Sequence, residues 1–345
     1  MNISPPSQTS DRNETMRAAI TDSYGDADVL SIAEIDRPEP GDDEILVKVF
    51  AAPVTTADWR LRAAAFPGIM ALPGRLMMGL TRPKNPVLGL AFAGRVVARG
   101  SDVSRFRLGD PVFGFSGAGA HAEYLTVKAD GPVALKPKAI TYEKAAAVPF
   151  GGVSALVFLR DFAGVKPGQK LLINGASGGV GAYAVQLAKI MGAEVTGVAG
   201  TDNLDLVRAL GADRVIDYRK QDVSASGDLY DVVLDTVGKL PYTKARRILK
   251  KTGRYVPLEF AGREILQALL AGLTGGPKIV LAVSGDKRED IEHLARLLET
   301  GELRGIVDST YPLADIAAAH RRVETRHAKG AVIVTMEDRE PSPDQ

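Results

Sequence analysis

The rhythm of apolar and polar positions changes near residue 142. Before that point, short runs of strand composition, "EILVKVFAAPV", "LAFAGRVVARG", "DPVFGFS" and "HAEYLTVKA", are cut at short intervals by Gly, Pro and Asp, the pattern of strands joined by turns. The first third is expected to be a small all-β region. Beyond it, "KLLIN", "EVTGVA", "RVIDY", "YDVVLDTV" and "GRYVPLE" alternate with segments of helical character at 179–190, 203–210 and 241–250. Strands alternating with helices imply a parallel sheet covered on both faces. A last helix near 312–324 and the strand "AVIVTM" find no place in that sheet, and they are expected to return to the N-terminal region. The stretch "LRAAAFPGIMALPGRLMMGLTRPKNPVLG" mixes Met, Leu and Phe with helix-breaking Pro and Gly. It reads either as an apolar flap forming a pocket wall or as a local hydrophobic cluster. Residues 1–14 and "EDREPSPDQ" read as solvated tails.

Composition narrows the function classes. A chain of 345 residues is long enough for two domains, and 45% hydrophobic with 25% charged residues is ordinary for a globular protein. The net charge of +1 offers no field for a polyanion, so nucleic acid is not expected as a ligand. With no cysteine, disulfides, thiolate catalysis and cysteine-ligated zinc are excluded. His121, His293, His320 and His327 show no short metal spacing. No apolar signal core opens the chain, and the apolar run near 268–283 is broken by Gly272, Gly275, Gly276, Pro277 and Lys278. A cytoplasmic protein without a membrane span is expected.

The stretch "LLINGASGGVGAYAVQLAK" (171–189) places a strand, a glycine turn, a helix and then a second strand in the order of a dinucleotide site. Gly178 and Gly179 let the backbone approach a diphosphate at the start of a helix, and Gly181 lets that helix lie close to the strand. Ala176 stands where the common G-x-G-x-x-G has its first glycine; Ser177 and Val180 complete the turn. A turn serving packing alone is the competing reading. The second strand is expected to end at Val198, with Ala199 where an acidic residue would hold the adenosine ribose and repel a 2′-phosphate. NADPH is therefore favoured over NADH. Thr201 and Asn203 are candidate donors to that phosphate, and Tyr218 with Arg219 sits at the edge of the next strand, unless that pair is an ordinary solvated loop. Asp202 weighs against a phosphate here unless its carboxylate points away.

From Met16 to Met336 the chain resembles the medium-chain dehydrogenase/reductase superfamily, in its zinc-independent quinone oxidoreductase (zeta-crystallin-like) branch. The resemblance is carried by "MRAAITDSYGDADVLSIAEIDRPEPGDDEILVKVFAAPVTTADWRLRA", "PVLGLAFAGRVVARGSDVSRFRLGDPVFGF", "LLINGASGGVGAYAVQLAKIMGAEV", "LGADRVIDYRKQD" and "YDVVLDTVG". It implies an α/β protein: a GroES-like β domain over 15–141, completed by 286–336, and a Rossmann doubly wound parallel-sheet domain over 142–285, with the active site between them. The zinc ligands of metal-dependent relatives fall on Thr55, Leu90 and Phe150, and their neighbouring Glu on Ala91. Only the Thr hydroxyl can ligate a metal, and poorly.

The resemblance implies hydride transfer from NADPH to quinones or to the C=C bond of α,β-unsaturated carbonyls. Thr55 would donate to the substrate oxygen, or else be a strand-end hydroxyl bonded to its own backbone. Asp58 would orient the site, paired with Arg62. Trp59, Leu90 and Phe150 would border the substrate, although Trp59 also suits packing. Ser154 would lie near the nicotinamide, Val256 would meet its carboxamide through the backbone, and Lys329 would approach a phosphate. His320 suits a capping or surface role. Phe150 and the flap would favour a small lipophilic quinone or enone, and no dedicated proton donor is evident. A non-catalytic NADPH-binding sensor or scaffold and an enoyl-thioester reductase are the alternatives. The segment 277–283 is expected to be an edge strand able to pair with its copy in a homodimer.

Overall fold

The computed structural model describes residues 14–65, 71–260, 262–274 and 276–336. Both predicted tails and the flap segment 66–70 lie outside the described residues, except for Glu14. The chain opens with an antiparallel pair, β1 (Thr15–Thr21) and β2 (Leu30–Asp36). It continues through β3 (Glu44–Val54), α1 (Thr56–Ala63), α2 (Ala71–Met78), β4 (Ala91–Arg99), β5 (Pro111–Phe115), β6 (Tyr124–Lys128) and β7 (Val133–Leu135). The helices α3 (Tyr142–Ala146) and α4 (Val148–Val157) then lead to the parallel strands.

Those strands are β8 (Lys170–Asn174), β9 (Glu194–Ala199), β10 (Arg214–Asp217), β11 (Tyr230–Asp235), β12 (Leu249–Pro257) and β13 (Lys278–Ile279), interleaved with α5 (Gly181–Ile190), α6 (Leu204–Ala209), α7 (Tyr242–Ala245) and α8 (Gly262–Thr274). They form one sheet in the order β10-β9-β8-β11-β12-β13, so the order reverses between β8 and β11. The period-2 alternation of the strands decides which faces are covered. Leu171 and Ile173 point into a core shared with α4, α5 and a later helix, α9 (Arg288–Glu299). Leu172 points the other way, to a core with Tyr242, Ala245 and Ala271. This is a Rossmann-like sheet with helices on both faces.

The chain ends with β14 (Val307–Pro312), α10 (Ile316–Glu324) and β15 (Ala331–Thr335). β15 pairs antiparallel with β3, and β14 lies parallel to β15, extending the GroES-like sheet to β14-β15-β3-β4-β5-β7, with β6 also on β3. Two expectations change. The predicted helix over 241–250 shrinks to α7, because Leu249 already pairs with Tyr230 as β12 begins. The edge strand expected over 277–283 pairs only at Lys278 and Ile279, and Val283 is 79% exposed.

Candidate active site

The reversal of strand order opens a crevice beyond the C-terminal ends of β8 and β11. After β8 the chain turns through Gly175 at a φ of +81°, a conformation glycine adopts without strain. A Cβ there would come within 2.6 Å of Val237 Cγ1 and 2.7 Å of Thr236 Oγ1. The tight turn therefore belongs to Gly175, one residue before the position read from the motif; Ala176 is fully buried. A Cβ on Gly181 would run into the Gly175 carbonyl oxygen, so the start of α5 closes directly onto the turn. The amides of Gly179 and Val180 find no acceptor among the described residues, which leaves two donors at the start of α5 for an anion.

The opposite wall is set by Asp235 at the end of β11, which is fully buried. Its Oδ1 accepts from Asn174 Nδ2 (2.8 Å), Val237 N (3.2 Å) and Gly238 N (3.1 Å), and its Oδ2 from Leu240 N (2.9 Å). Burial, with the Asp235 charge beside it, pushes the Tyr255 phenol well above its usual range, so it stays a donor, to the Leu240 carbonyl at 2.6 Å. One carboxylate thus ties the two strand ends and the loop 236–240 together. The sequence reading missed Asp235, although an Asp at a strand end followed by "TVG" is a local turn signal.

Between these walls lies a cavity of about 740 Å³, bordered by Ser177, Gly178, Ala199, Asn203 and Tyr218 among others. Its lining carries five basic side chains, Arg219, Lys220, Lys239, Lys244 and Arg326, against two carboxylates, Asp202 and Asp222. β9 runs to Ala199, one residue further than expected. Asn203 Nδ2 donates to Ser177 Oγ (3.1 Å), and its Oδ1 is buried with no partner among the described residues. Thr201 is not free to donate to a phosphate, because its hydroxyl donates to Asp217 Oδ2 at 2.6 Å and holds that carboxyl below its usual range. The Asp202 carboxylate, 74% exposed, pairs with Arg219 Nη1 at 3.1 Å on the cavity wall. Lys329 Nζ reaches the Asp202 carbonyl at 3.3 Å.

A second, smaller cavity of about 130 Å³ meets the first at Gly178, Val237, Arg326 and Ala328. Thr55 and Phe150 border it, with apolar neighbours that include Val54, Ala147, Val323 and Val332. Thr55 caps α1 in a reciprocal box. Its Oγ1 accepts from Asp58 N (3.2 Å) and donates to Asp58 Oδ2 (2.6 Å), which also accepts from Thr55 N (2.8 Å). Asp58 Oδ1 accepts from Gly89 N at 3.0 Å. The one hydroxyl hydrogen of Thr55 is therefore committed to Asp58 and not to the cavity. Asp58, fully buried, pins α1 to the chain before β4; its expected partner Arg62 pairs with Glu324 on α10 instead.

The remaining predicted residues scatter around this cavity. Among the described residues its apolar wall comes from the strands and from α4; the flap's tip, 66–70, lies outside the described residues. Trp59 packs on the β-domain core, and Leu90, half-buried, is not part of the lining. Ser154 stands one helical turn after Phe150 on the same face of α4, half-buried. Val256 is fully buried in β12 beside Leu234. His320 is fully buried and not at the surface. A bridge the sequence did not disclose crosses the cleft: Glu259 lies 3.1 Å from Arg60 on α1 and 2.6 Å from Arg326 after α10.

The fold and the paired cavities define a nucleotide-binding oxidoreductase. Residues 41–138 match the family described as "Alcohol dehydrogenase GroES-like domain", and residues 210–334 that described as "Zinc-binding dehydrogenase". The chain is 32% identical to the quinone-oxidoreductase QR1, chloroplastic, of Triphysaria versicolor, over 92% of this chain and 98% of that one. It is 33% identical to the NADPH-dependent alkenal/one oxidoreductase, chloroplastic, of Arabidopsis thaliana, over 92% and 79%. The solved quinone oxidoreductase from Coxiella burnetii superposes with a TM-score of 0.82 at 29% identity, covering 93% of this chain and 99% of that one. The chain belongs to the medium-chain dehydrogenase/reductase superfamily, in its quinone oxidoreductase branch, and is an oxidoreductase that uses a nicotinamide cofactor. The residues do not fit a zinc centre. The chain has no cysteine, and among the described residues no three of His, Asp and Glu gather as a ligand set.

Proposed function

We propose that the protein is a zinc-independent, NADPH-dependent reductase of lipophilic quinones or of the C=C bond of enones and enals. The observation that carries this reading is the junction of the two cavities. A large basic one borders the glycine turn at Gly175, Ser177 and Gly178, and a small, mainly apolar one meets it at Gly178 and Arg326 and borders the turn at Gly179 and Val180, an arrangement suited to a cofactor that runs across the junction toward an acceptor.

The amides of Gly179 and Val180 would hold the diphosphate, with Ser177 and Asn203 beside it. Ala199, Tyr218, Arg219 and Lys220 would surround the 2′-phosphate. The pairing of Asp202 with Arg219 offsets the charge that weighs against a phosphate there. When bound, NADPH supplies the hydride. Phe150, Val54 and Val332 keep water from the acceptor, which favours a substrate already activated by conjugation over a charged sugar or acid. Thr55 and Asp58 hold the start of α1 at the cavity edge, and Thr55 can donate to an acceptor oxygen only by giving up its bond to Asp58.

Several supporting features bear on partners. The helical run Tyr142–Phe162 is long and apolar enough to cross a membrane by length and composition, but 72% of its most apolar window is buried inside the fold, as in a core helix. The free edge at β13 supports a homodimer in which this edge meets its copy. The deciding experiment follows oxidation of NADPH and NADH against a panel of enones, enals and quinones, with and without a chelator. Turnover with NADPH that ignores the chelator is expected. Chelator-sensitive turnover, or none with any acceptor despite tight NADPH binding, overturns the reading.

A further inference from the structure

Arg326 stands at the throat where the cofactor cavity opens into the acceptor cavity, and its guanidinium is already engaged. Nη2 donates to Glu259 Oε1 at 2.6 Å and to the Val237 carbonyl at 3.3 Å. Arg60 Nη2 lies 3.1 Å from the same Oε1. Two arginines from the β domain thus share one carboxylate of the cofactor domain. All three side chains are a quarter to a third exposed, so each can exchange partners with solvent or ligand. Two cations on one anion leave a positive charge in excess, and of the two arginines only Arg326 borders both cavities.

The backbone aims Arg326 at this throat. Its φ of +56° is unusual for a residue with a side chain. Four residues on, Gly330 N donates to Ser177 O at 3.1 Å, which anchors the arginine's turn to the glycine turn. The guanidinium and the free amides of Gly179 and Val180 therefore flank one space, where a phosphate group meets donors from both domains.

We infer that Arg326 is an exchangeable cation that Glu259 holds in the free protein and that the cofactor's diphosphate takes over on binding. Arg60 stays on Glu259, so the exchange strands no carboxylate. Glu259 is then an internal competitor that lowers cofactor affinity, and the exchange swaps one link between the domains for another that passes through the cofactor. The inference rests on the NADPH reading above and adds to it the residue that the two domains contest.

Calorimetric titration of NADPH, and of adenosine 2′-monophosphate, which lacks the diphosphate, tests it on wild type, Arg326→Gln, Arg326→Lys, Glu259→Gln and the Gln/Gln double variant. Arg326→Gln is expected to weaken NADPH about tenfold, the size of one charge-assisted hydrogen bond, and Arg326→Lys to restore part of the loss. Glu259→Gln is expected to tighten NADPH about threefold in the wild-type background and to do nothing once Arg326 is gone. Adenosine 2′-monophosphate should bind all five proteins alike. Weaker or unchanged NADPH binding by Glu259→Gln, or a gain that persists in the double variant, overturns the exchange. If the wild type binds neither NADPH nor the monophosphate, the cofactor reading fails and the exchange falls with it.

Discussion

His320 on α10 offers a test in which the magnitude follows from the structure. Its ring is fully buried, and among the described residues neither nitrogen has a hydrogen-bond partner. His121 faces it edge-on with ring centroids 5.9 Å apart, and the Arg62 guanidinium, itself paired with Glu324, is the nearby charge. Burial first, then His121 and Arg62, lower its pKa from the usual 6.5 to about 2. The folded protein therefore binds fewer protons than the unfolded chain between these values, and stability is lost as pH falls below 6.5. At pH 5 the loss depends only on the unfolded value, provided the folded pKa lies well below 5, and amounts to about 2 kcal/mol from this group. His320→Leu removes the titration and two unpartnered ring nitrogens while keeping an apolar volume. Thermal and denaturant unfolding of both proteins at pH 7 and pH 5 should show the variant losing about 2 kcal/mol less than wild type over that interval. Parallel losses would refute the reasoning, since they would mean that His320 is charged or solvated in the fold.

Other perturbations read the cofactor turn and the helix cap. Ala199→Asp, which places a carboxylate at the end of β9, should weaken NADPH at least about tenfold while sparing NADH, read by titration of each; equal losses would remove Ala199 from cofactor selection. Gly181→Ala should cost about 1–3 kcal/mol in denaturant unfolding and lower cofactor affinity, because its Cβ runs into the Gly175 carbonyl; an unaltered midpoint would show that the turn can shift freely. Thr55→Val should cost about 1 kcal/mol through the lost cap with kcat little changed, and a large fall in kcat at unchanged Tm would put the hydroxyl on the acceptor instead.

What the sequence disclosed was local, and what it hid was assembled from afar. The apolar run "EILVKVFAAPV" coincides with β3 from end to end, and strand, glycine turn and helix follow at 170–190 in the order the pattern required. Errors came where tertiary pairing overrides a local period. Leu249 joins β12 beside Tyr230 and cuts a predicted helix to one turn, while the edge segment after Ile279 keeps its ladder only through the Val280 N bond to Tyr255 O. At the site, the box of Thr55 and Asp58 is visible as Thr-x-x-Asp ahead of a helix, and the reading of Thr55 as a hydroxyl bonded to nearby backbone and of Asp58 as an orienting group is the part of it that a local pattern can carry. The Arg62–Glu324 pair, the His121–His320 contact and the bridge through Glu259 could not be read from any window, since each joins segments that meet only when the C-terminal strand returns to β3.

That return also makes the two sides of the cleft unequal. Along α5 the C-terminal segment is tied to the cofactor domain through backbone groups: Gly330 N to Ser177 O, Ile306 N to the Tyr183 hydroxyl, and Arg304 N to Gln186 Oε1, with Tyr183 and Gln186 both buried. The Tyr183 hydroxyl also donates to the Ala147 carbonyl, so one phenol joins α4, α5 and the returning chain. Across the mouth, the link through Glu259 consists of ion pairs between partly exposed side chains, which water and salt weaken. Buried bonds resist opening far more than exposed ion pairs do. The seam along α5 is therefore held by buried bonds from backbone groups, and the mouth at Arg326 by ion pairs within reach of water.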